Sequence, residues 1–261
     1  MSFSLDRLPD DCRHLAFESV GSTNALALHY GEQGDPGFLW ISAQRQTEGR
    51  GRRGRAWVSD DGNLYASLLI VDDRVQGRDY SNLPLVMAIA IYEAVARTAG
   101  TFDGRLAIKW PNDLLVDGAK ISGMLLEQRM LKHDRLALAI GFGVNCLTEP
   151  ERGQVERQAT SLKLEGAPVL PSDLLDVLSE QVLHWLRVWN LGSGLEAVLN
   201  AWRERAIGLG RAVTVRLPNE ELSGTFEEIA QDGALMLRTA DGGTRRVLAG
   251  DVFFSDGDRH A

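Results

Sequence analysis

Only two cysteines, Cys12 and Cys146, occur in 261 residues, and no Cys or His pair stands at the close spacings of a structural zinc site. A disulfide scaffold is excluded on number alone, and a reducing, cytoplasmic compartment is expected. Positive charge is in deficit. With 28 Lys and Arg against 36 Asp and Glu the net charge is −8, so the surface as a whole repels a phosphate backbone and no DNA partner is expected. The five histidines (His14, His29, His133, His184 and His260) form no motif, and neither a Gly-x-Ser-x-Gly elbow nor a His-Glu-x-x-His helix is present. Long apolar runs are missing too: residues 83–92 and 136–144 fall short of the roughly 18 that a spanning helix needs. No basic leader followed by an apolar core opens the chain, so neither a membrane partner nor secretion is expected. What is present, 44% hydrophobic and 25% charged residues with 8 Pro, is enough to bury a sizeable core.

The pattern of apolar residues and breakers divides the chain. Ser22, Thr23 and Asn24 open a helix that Gly31 and Gly34 would end. Residues 38–43 and 63–71 read as strands flanking a Gly/Arg-rich loop at 44–56. A buried helix at 81–99 carries Pro84 in its first turn, and a strand at 106–110 stops at Pro111. Residues 114–116 and 119–126 form a hairpin across Asp117-Gly118, with a further buried strand at 136–144. Helices at 171–189 and 194–207 follow. Beyond Gly208 and Gly210 only short strands are expected, at 212–217, 224–230, 234–238 and 244–248. The expected class is α+β: a mixed, largely antiparallel sheet covered by helices over residues 1–209, then a small all-β barrel over 210–261.

Chemistry concentrates in two places. Between residues 45 and 55 stand five arginines (Arg45, Arg50, Arg52, Arg53 and Arg55) against one acid, Glu48. Alternating glycines let such a backbone approach a ligand, and guanidinium forks match carboxylate and phosphate oxygens. Two readings stay open on these residues alone, a solvated basic loop or an anion receiver. No Gly-Lys-Ser/Thr ends the loop, so it is not a Walker A motif. The second place is Lys109-Trp110-Pro111-Asn112-Asp113 with Lys120-Ile121-Ser122-Gly123 across the turn. Two lysines in apolar strands call for anionic partners, or serve as edge gatekeepers. Gly141-Phe142-Gly143-Val144-Asn145 ends a buried strand where a flat ring can lie on backbone beside the Asn145 amide, or it is simply a tight turn. Cys146 reads as a small buried hydrophobe.

In this order, Ser22-Thr23-Asn24, Gln46, the 49–55 loop, Trp57, the two lysine segments and residues 141–145 resemble the motifs of biotin protein ligases. The resemblance covers about residues 18–145 and, more loosely, the β-rich tail. It implies a catalytic domain related to class II aminoacyl-tRNA synthetases and lipoate ligases, plus an SH3-like C-terminal barrel. Biotin is the implied substrate, ATP and Mg²⁺ the co-substrate and ion, and the biotin carboxyl carrier protein of a carboxylase the partner. Some members carry an N-terminal winged helix; about 20 residues precede Ser22, and no such repressor domain is expected.

By the same resemblance Ser22, Thr23, Asn24, Gln46, Arg50, Gly51, Arg52, Lys120 and Gly123 contact biotin. Arg52, Arg53, Gly54, Trp57, Lys109, Asn112, Lys120 and Asn145 surround the nucleotide. Arg52 and Lys120 act catalytically by screening the biotin carboxylate from the α-phosphate, with Asp113 orienting or deprotonating the carrier lysine. No metal ligands are indicated, and a monomer and a homodimer are both compatible. A lipoate or octanoate ligase is the nearest rival, and a non-catalytic biotin-retaining module the rival from another class. The full Gly/Arg loop favours biotin, and the complete set of motif cations favours catalysis.

Overall fold

The computed structural model describes residues 5, 7–73, 79–151, 154 and 158–254. Seven strands form its first layer: β1 (Arg13–Val20), β2 (Leu39–Gln46), β3 (Leu64–Asp72), β4 (Leu106–Lys109), β5 (Asp113–Val116), β6 (Ala119–Met130) and β7 (Leu136–Val144). They lie in the order β1-β2-β3-β7-β6-β5-β4. β1 and β2 run parallel and all other neighbours antiparallel, which is the mixed, largely antiparallel sheet expected. β1 escapes the sequence pattern because, as an edge strand, it buries almost nothing, so Arg13-His14-Leu15-Ala16-Phe17-Glu18-Ser19-Val20 shows no clean alternation.

Helices α1 (Thr23–Glu32), α2 (Leu83–Ala99), α3 (Pro171–Trp189) and α4 (Leu195–Arg205) cover the sheet. Period-two alternation sorts the side chains between its faces. On one face Leu39, Ile41, Leu69, Val71, Ala137 and Ala139 pack against Ala27 and Leu28 of α1. On the other, Trp40, Leu68, Ile70, Leu138, Ile140 and Phe142 join α2, α3 and α4 in the main core. Ser22 caps α1, accepting from the Ala25 N–H at 3.4 Å. Gly31 does not end this helix as expected. It lies inside, where an added methyl would meet Ala137 at 3.0 Å, and the turn falls at Gly34 with φ +92°.

After Gly208 and Gly210, both at positive φ, come β8 (Ala212–Arg216), β9 (Glu221–Ile229), β10 (Leu235–Arg238), β11 (Thr244–Val247) and β12 (Asp251–Phe254). They make an antiparallel sheet in the order β11-β10-β9-β8-β12. The expected barrel is therefore seen as a sheet whose edges are β11 and β12, because β12 adds to the outer side of β8 instead of pairing with β11. Its inner residues Val213, Val215, Phe226, Leu235 and Leu237 belong to the same apolar core as α2 to α4. The Trp110 indole N–H donates to the Gly233 carbonyl at 2.9 Å, and the Ile207 N–H to the Ile108 carbonyl at 2.9 Å, tying this sheet to β4. Among the described residues no helix is long and apolar enough to cross a membrane.

Candidate active site

One face of β7 reads Ala137, Ala139, Gly141, Gly143, and the shrinking side chains create the site. The alanines accept α1. At Gly141 a methyl would overlap the Asn24 side chain, and at Gly143 it would overlap the Trp57 indole. Gly123, opposite Gly143 in the sheet, would touch the same indole at 2.9 Å. The flat ring expected on this glycine backbone is thus the protein's own Trp57. Asn145 does not bond that ring; its amide donates to the Thr160 carbonyl at 2.9 Å.

A cavity of about 350 Å³ opens on this face. Along its wall lie Ser22, Thr23 and Asn24 from the start of α1, Gln46 from β2, and Arg50, Gly51, Arg52 and Trp57 from the loop. Asn112, Asp113, Lys120, Gly123 and Asn145 complete the predicted set there. Three predicted residues are not in the wall. Arg53 turns to Asp251, Gly54 (φ +72°) makes the loop's bend, and Lys109, 1% exposed, lies on the sheet face that carries Asp113, Gly123 and Gly143 in register, 4.8 Å from the ring centroid of Phe254.

The arginine loop is a short hairpin. The Trp57 N–H donates to the Gly49 carbonyl at 2.9 Å and the Gly51 N–H to the Arg55 carbonyl at 2.7 Å, with a tight turn over Arg52–Gly54. Gly49 is glycine because the hairpin's own Trp57 carbonyl and Ser59 crowd it; only Gly51 faces the cavity. Counter-charge for this cluster is supplied in part by Asp251, at the start of β12. This carboxylate is 3% exposed and lies 2.6 Å from Arg55, 3.1 Å from Arg53 and 3.6 Å from Arg52. Sequence inspection missed it because an Asp after Gly250 in a turn-rich tail resembles an ordinary loop residue.

At the opposite wall Lys120 Nζ sits 2.7 Å from Asp113 Oδ1 and 5.2 Å from the Trp57 ring centroid, an ion pair capped by an aromatic face. A segment absent from the sequence reading holds the Lys120 backbone: its N–H donates to the Gln158 carbonyl at 2.9 Å, and the Thr160 N–H returns to the Lys120 carbonyl at 3.0 Å. Beside α1, the Gln46 side-chain oxygen accepts from the Thr23 N–H at 2.9 Å and lies 3.1 Å from the Thr23 hydroxyl, while its Nε2 donates to Ser59 at 3.2 Å. Ser67 and Glu127, also missed, stand behind Asn24 at 2.6 and 2.8 Å. Burial pushes the Cys146 thiol up to about 12, which leaves it a protonated hydrophobe and no nucleophile.

Residues 17–145 match the biotin/lipoate A/B protein ligase family, and residues 208–255 the biotin protein ligase C terminal domain. The chain is 39% identical to a biotin–(acetyl-CoA-carboxylase) ligase of Paracoccus denitrificans, across 89% of this chain and 97% of that one. Among solved structures, the biotin protein ligase of Aquifex aeolicus in complex with biotin and ATP superposes with a TM-score of 0.77 at 24% identity, covering 93% of this chain and 99% of that one. The Leishmania major enzyme in complex with biotinyl-5-AMP gives 0.64 at 26%, covering 93% and 100%. The chain belongs to the biotin/lipoate A/B protein ligase family, and it is a ligase.

Two substitutions test this architecture. Gly143→Ala should destabilise by about 1–3 kcal/mol, since a rigid strand leaves the indole nowhere to go; an unchanged urea midpoint would show that Trp57 moves aside freely. Asp251→Asn should cost about 1–3 kcal/mol at low salt, discounted from a fully buried pair because the guanidiniums are part exposed. The loss should shrink in high salt as repulsion among Arg52, Arg53 and Arg55 is screened. A variant equally stable at both ionic strengths would show that the carboxylate does not hold the hairpin.

Proposed function

We propose that the chain activates biotin with ATP and transfers the biotinyl group to a lysine of the carrier protein or domain of a biotin-dependent carboxylase. One observation carries this reading. A single cavity joins a hydroxyl- and amide-lined end (Ser22, Thr23, Asn24, Gln46) to a cationic end (Arg50, Arg52, Lys120). The first suits a cyclic urea, whose N–H and C=O groups need partners once buried. The second suits the meeting of a carboxylate with a phosphate, two anions that approach only when cations screen them. Both the P. denitrificans relative and the A. aeolicus complex with biotin and ATP support it.

In the first step the biotin carboxylate oxygen bonds to the α-phosphorus and the bond to the β-phosphate oxygen breaks, releasing pyrophosphate. Negative charge grows on the phosphoryl oxygens, where Arg52 and Lys120 stabilise it. Trp57, Asn112 and Asn145 flank the nucleotide. Arg53 and Gly54 act one layer out, through Asp251 and the hairpin bend, and Lys109 acts from the sheet face of Asp113 and Gly123, against the Phe254 ring. Mg²⁺ enters as the ion carried on the phosphates of ATP. Among the described residues no three His, Cys, Asp or Glu side chains converge as a cage, and Asp113 and Asp251 already face cations.

Lys120 rests on Asp113 before substrates bind. Phosphate draws that ammonium away, and the Asp113 carboxylate stands beside the activated acyl group. There it orients or deprotonates the carrier lysine, whose nitrogen attacks the acyl carbon and expels AMP. Gene repression is outside this reading, because a net charge of −8 offers no field for a phosphate backbone. A lipoate or octanoate substrate fits less well, since a dithiolane or alkyl end would strand the polar groups around Thr23 and Gln46.

Pyrophosphate–ATP exchange with Mg²⁺ should occur with biotin and not with lipoate or octanoate at equal concentration; exchange with either of the latter alone would overturn the substrate. Asp113→Asn should slow transfer from preformed biotinyl-5′-AMP at least about tenfold more than it slows adenylation. Rapid quench of each half-reaction measures this, and equal slowing would remove Asp113 from the second step.

A further inference from the structure

Asn24 is the second residue of α1 and 4% exposed. Both N–H bonds of its amide are used inside the protein, one to the Leu125 carbonyl at 3.1 Å and one to Glu127 Oε2 at 2.8 Å. Its Oδ1 lies 2.6 Å from Ser67 Oγ, fully buried on β3. A hydroxyl donates or accepts equally well, so Ser67 does not decide which way the amide faces. A carbonyl and a carboxylate only accept. Turning the amide over would set Oδ1 against both, replacing two hydrogen bonds with two repulsions.

The direction propagates along the wall. Asn24 Oδ1 has no proton, so the single Ser67 proton goes to it. Ser67 Oγ also lies 2.7 Å from Thr23 Oγ1, and the Thr23 hydroxyl and backbone N–H both donate to Gln46 Oε1, at 3.1 and 2.9 Å. Thr23 Oγ1 and Asn24 Oδ1 are left as lone-pair acceptors at the cavity wall that both residues line.

We infer that Glu127, which is outside that wall, is a positioning residue: its carboxylate fixes the hydrogen-bond direction of Asn24 and Ser67 and so, beside a Thr23 hydroxyl turned to Gln46, selects head groups that present N–H donors. The inference rests on the reading above, in which that head group is biotin's cyclic urea. Glu127 lies on the same face of β6 as Leu125 and Gly123, and its charge near the first turn of α1 also favours the helix. A purely helix-stabilising role would change the melting temperature without changing what the cavity accepts.

The test measures adenylation by the full chain, with KM for biotin, KM for ATP and discrimination against biotin methylated on a ureido nitrogen. Glu127→Leu should raise KM for biotin roughly 10- to 100-fold, shift KM for ATP by less than about twofold, and narrow the discrimination. Glu127→Gln, which keeps an oxygen to accept from Asn24, should restore most of it. Glu127→Ala serves as a second deletion should the leucine variant not fold. Parallel shifts in both KM values, or discrimination unchanged from the wild type, would overturn the role of Glu127 alone. A wild-type protein that shows no biotin-dependent exchange would overturn the functional reading itself, and the inference with it.

Discussion

Several positive charges must share one cavity wall, and most of the architecture answers that demand. Arg52, Arg53 and Arg55 converge on Asp251, and Lys120 on Asp113. The first carboxylate belongs to β12 and the second to β5. The carboxylate shared by Arg52, Arg53 and Arg55 therefore arrives with the docked C-terminal sheet, and that docking draws on an apolar core common to both sheets. Folding of the last described strand and completion of the cavity are one event in this design. The cations still outnumber the carboxylates, so the pocket stands as a positive spot in a chain of net charge −8, and anions that the rest of the surface repels are drawn there.

Geometry imposes the second condition, and β7 meets it with alternate residues. One face carries Leu138, Ile140, Phe142 and Val144 into the main core, while the other diminishes from alanine to glycine. Alanine is small enough for a helix to lie on the sheet. Glycine is required where Asn24 and Trp57 descend onto the backbone itself. A strand with period two can thus anchor the hydrophobic core and shape a polar pocket without either function constraining the other.

This division explains what could be read from the residues in advance. Lys109, Lys120 and the arginine cluster were conspicuous because charge in apolar strands or crowded loops breaks the expected pattern, and the helices and central strands followed from their periodicity. β1 and β12 were illegible for the opposite reason: β1 is a largely exposed edge strand, and Asp251-Val252-Phe253-Phe254 of β12 has no exposed position to alternate with its buried ones. Asp251, Ser67 and Glu127 were missed because each is an ordinary residue for its local setting. Their importance comes from what faces them across the fold, and no local pattern encodes that. The glycines at 141 and 143 were read as a platform for a ring, but the ring that fills it is 86 residues away in sequence at most, on Trp57, and spacing alone does not specify the pairing.

A site built to receive anions is already furnished with carboxylates, and the energetics favour this. Two like charges about 4 Å apart repel by about 4 kcal/mol at an effective dielectric near 20, so an arginine cluster held ready without a counter-ion would push itself apart. Asp251 removes part of that repulsion before any ligand arrives, and its near-complete burial fixes its position. Asp113 differs because one of its partners, Lys120, is a long-chain lysine at the cavity wall. A phosphate bearing several oxygens competes well for that lysine, whereas displacing Asp251 would mean separating one carboxylate from three guanidiniums at once. In the proposed mechanism the two acids divide the labour: Asp251 keeps three guanidiniums together, and the Asp113–Lys120 pair at the cavity wall is the one that substrate opens.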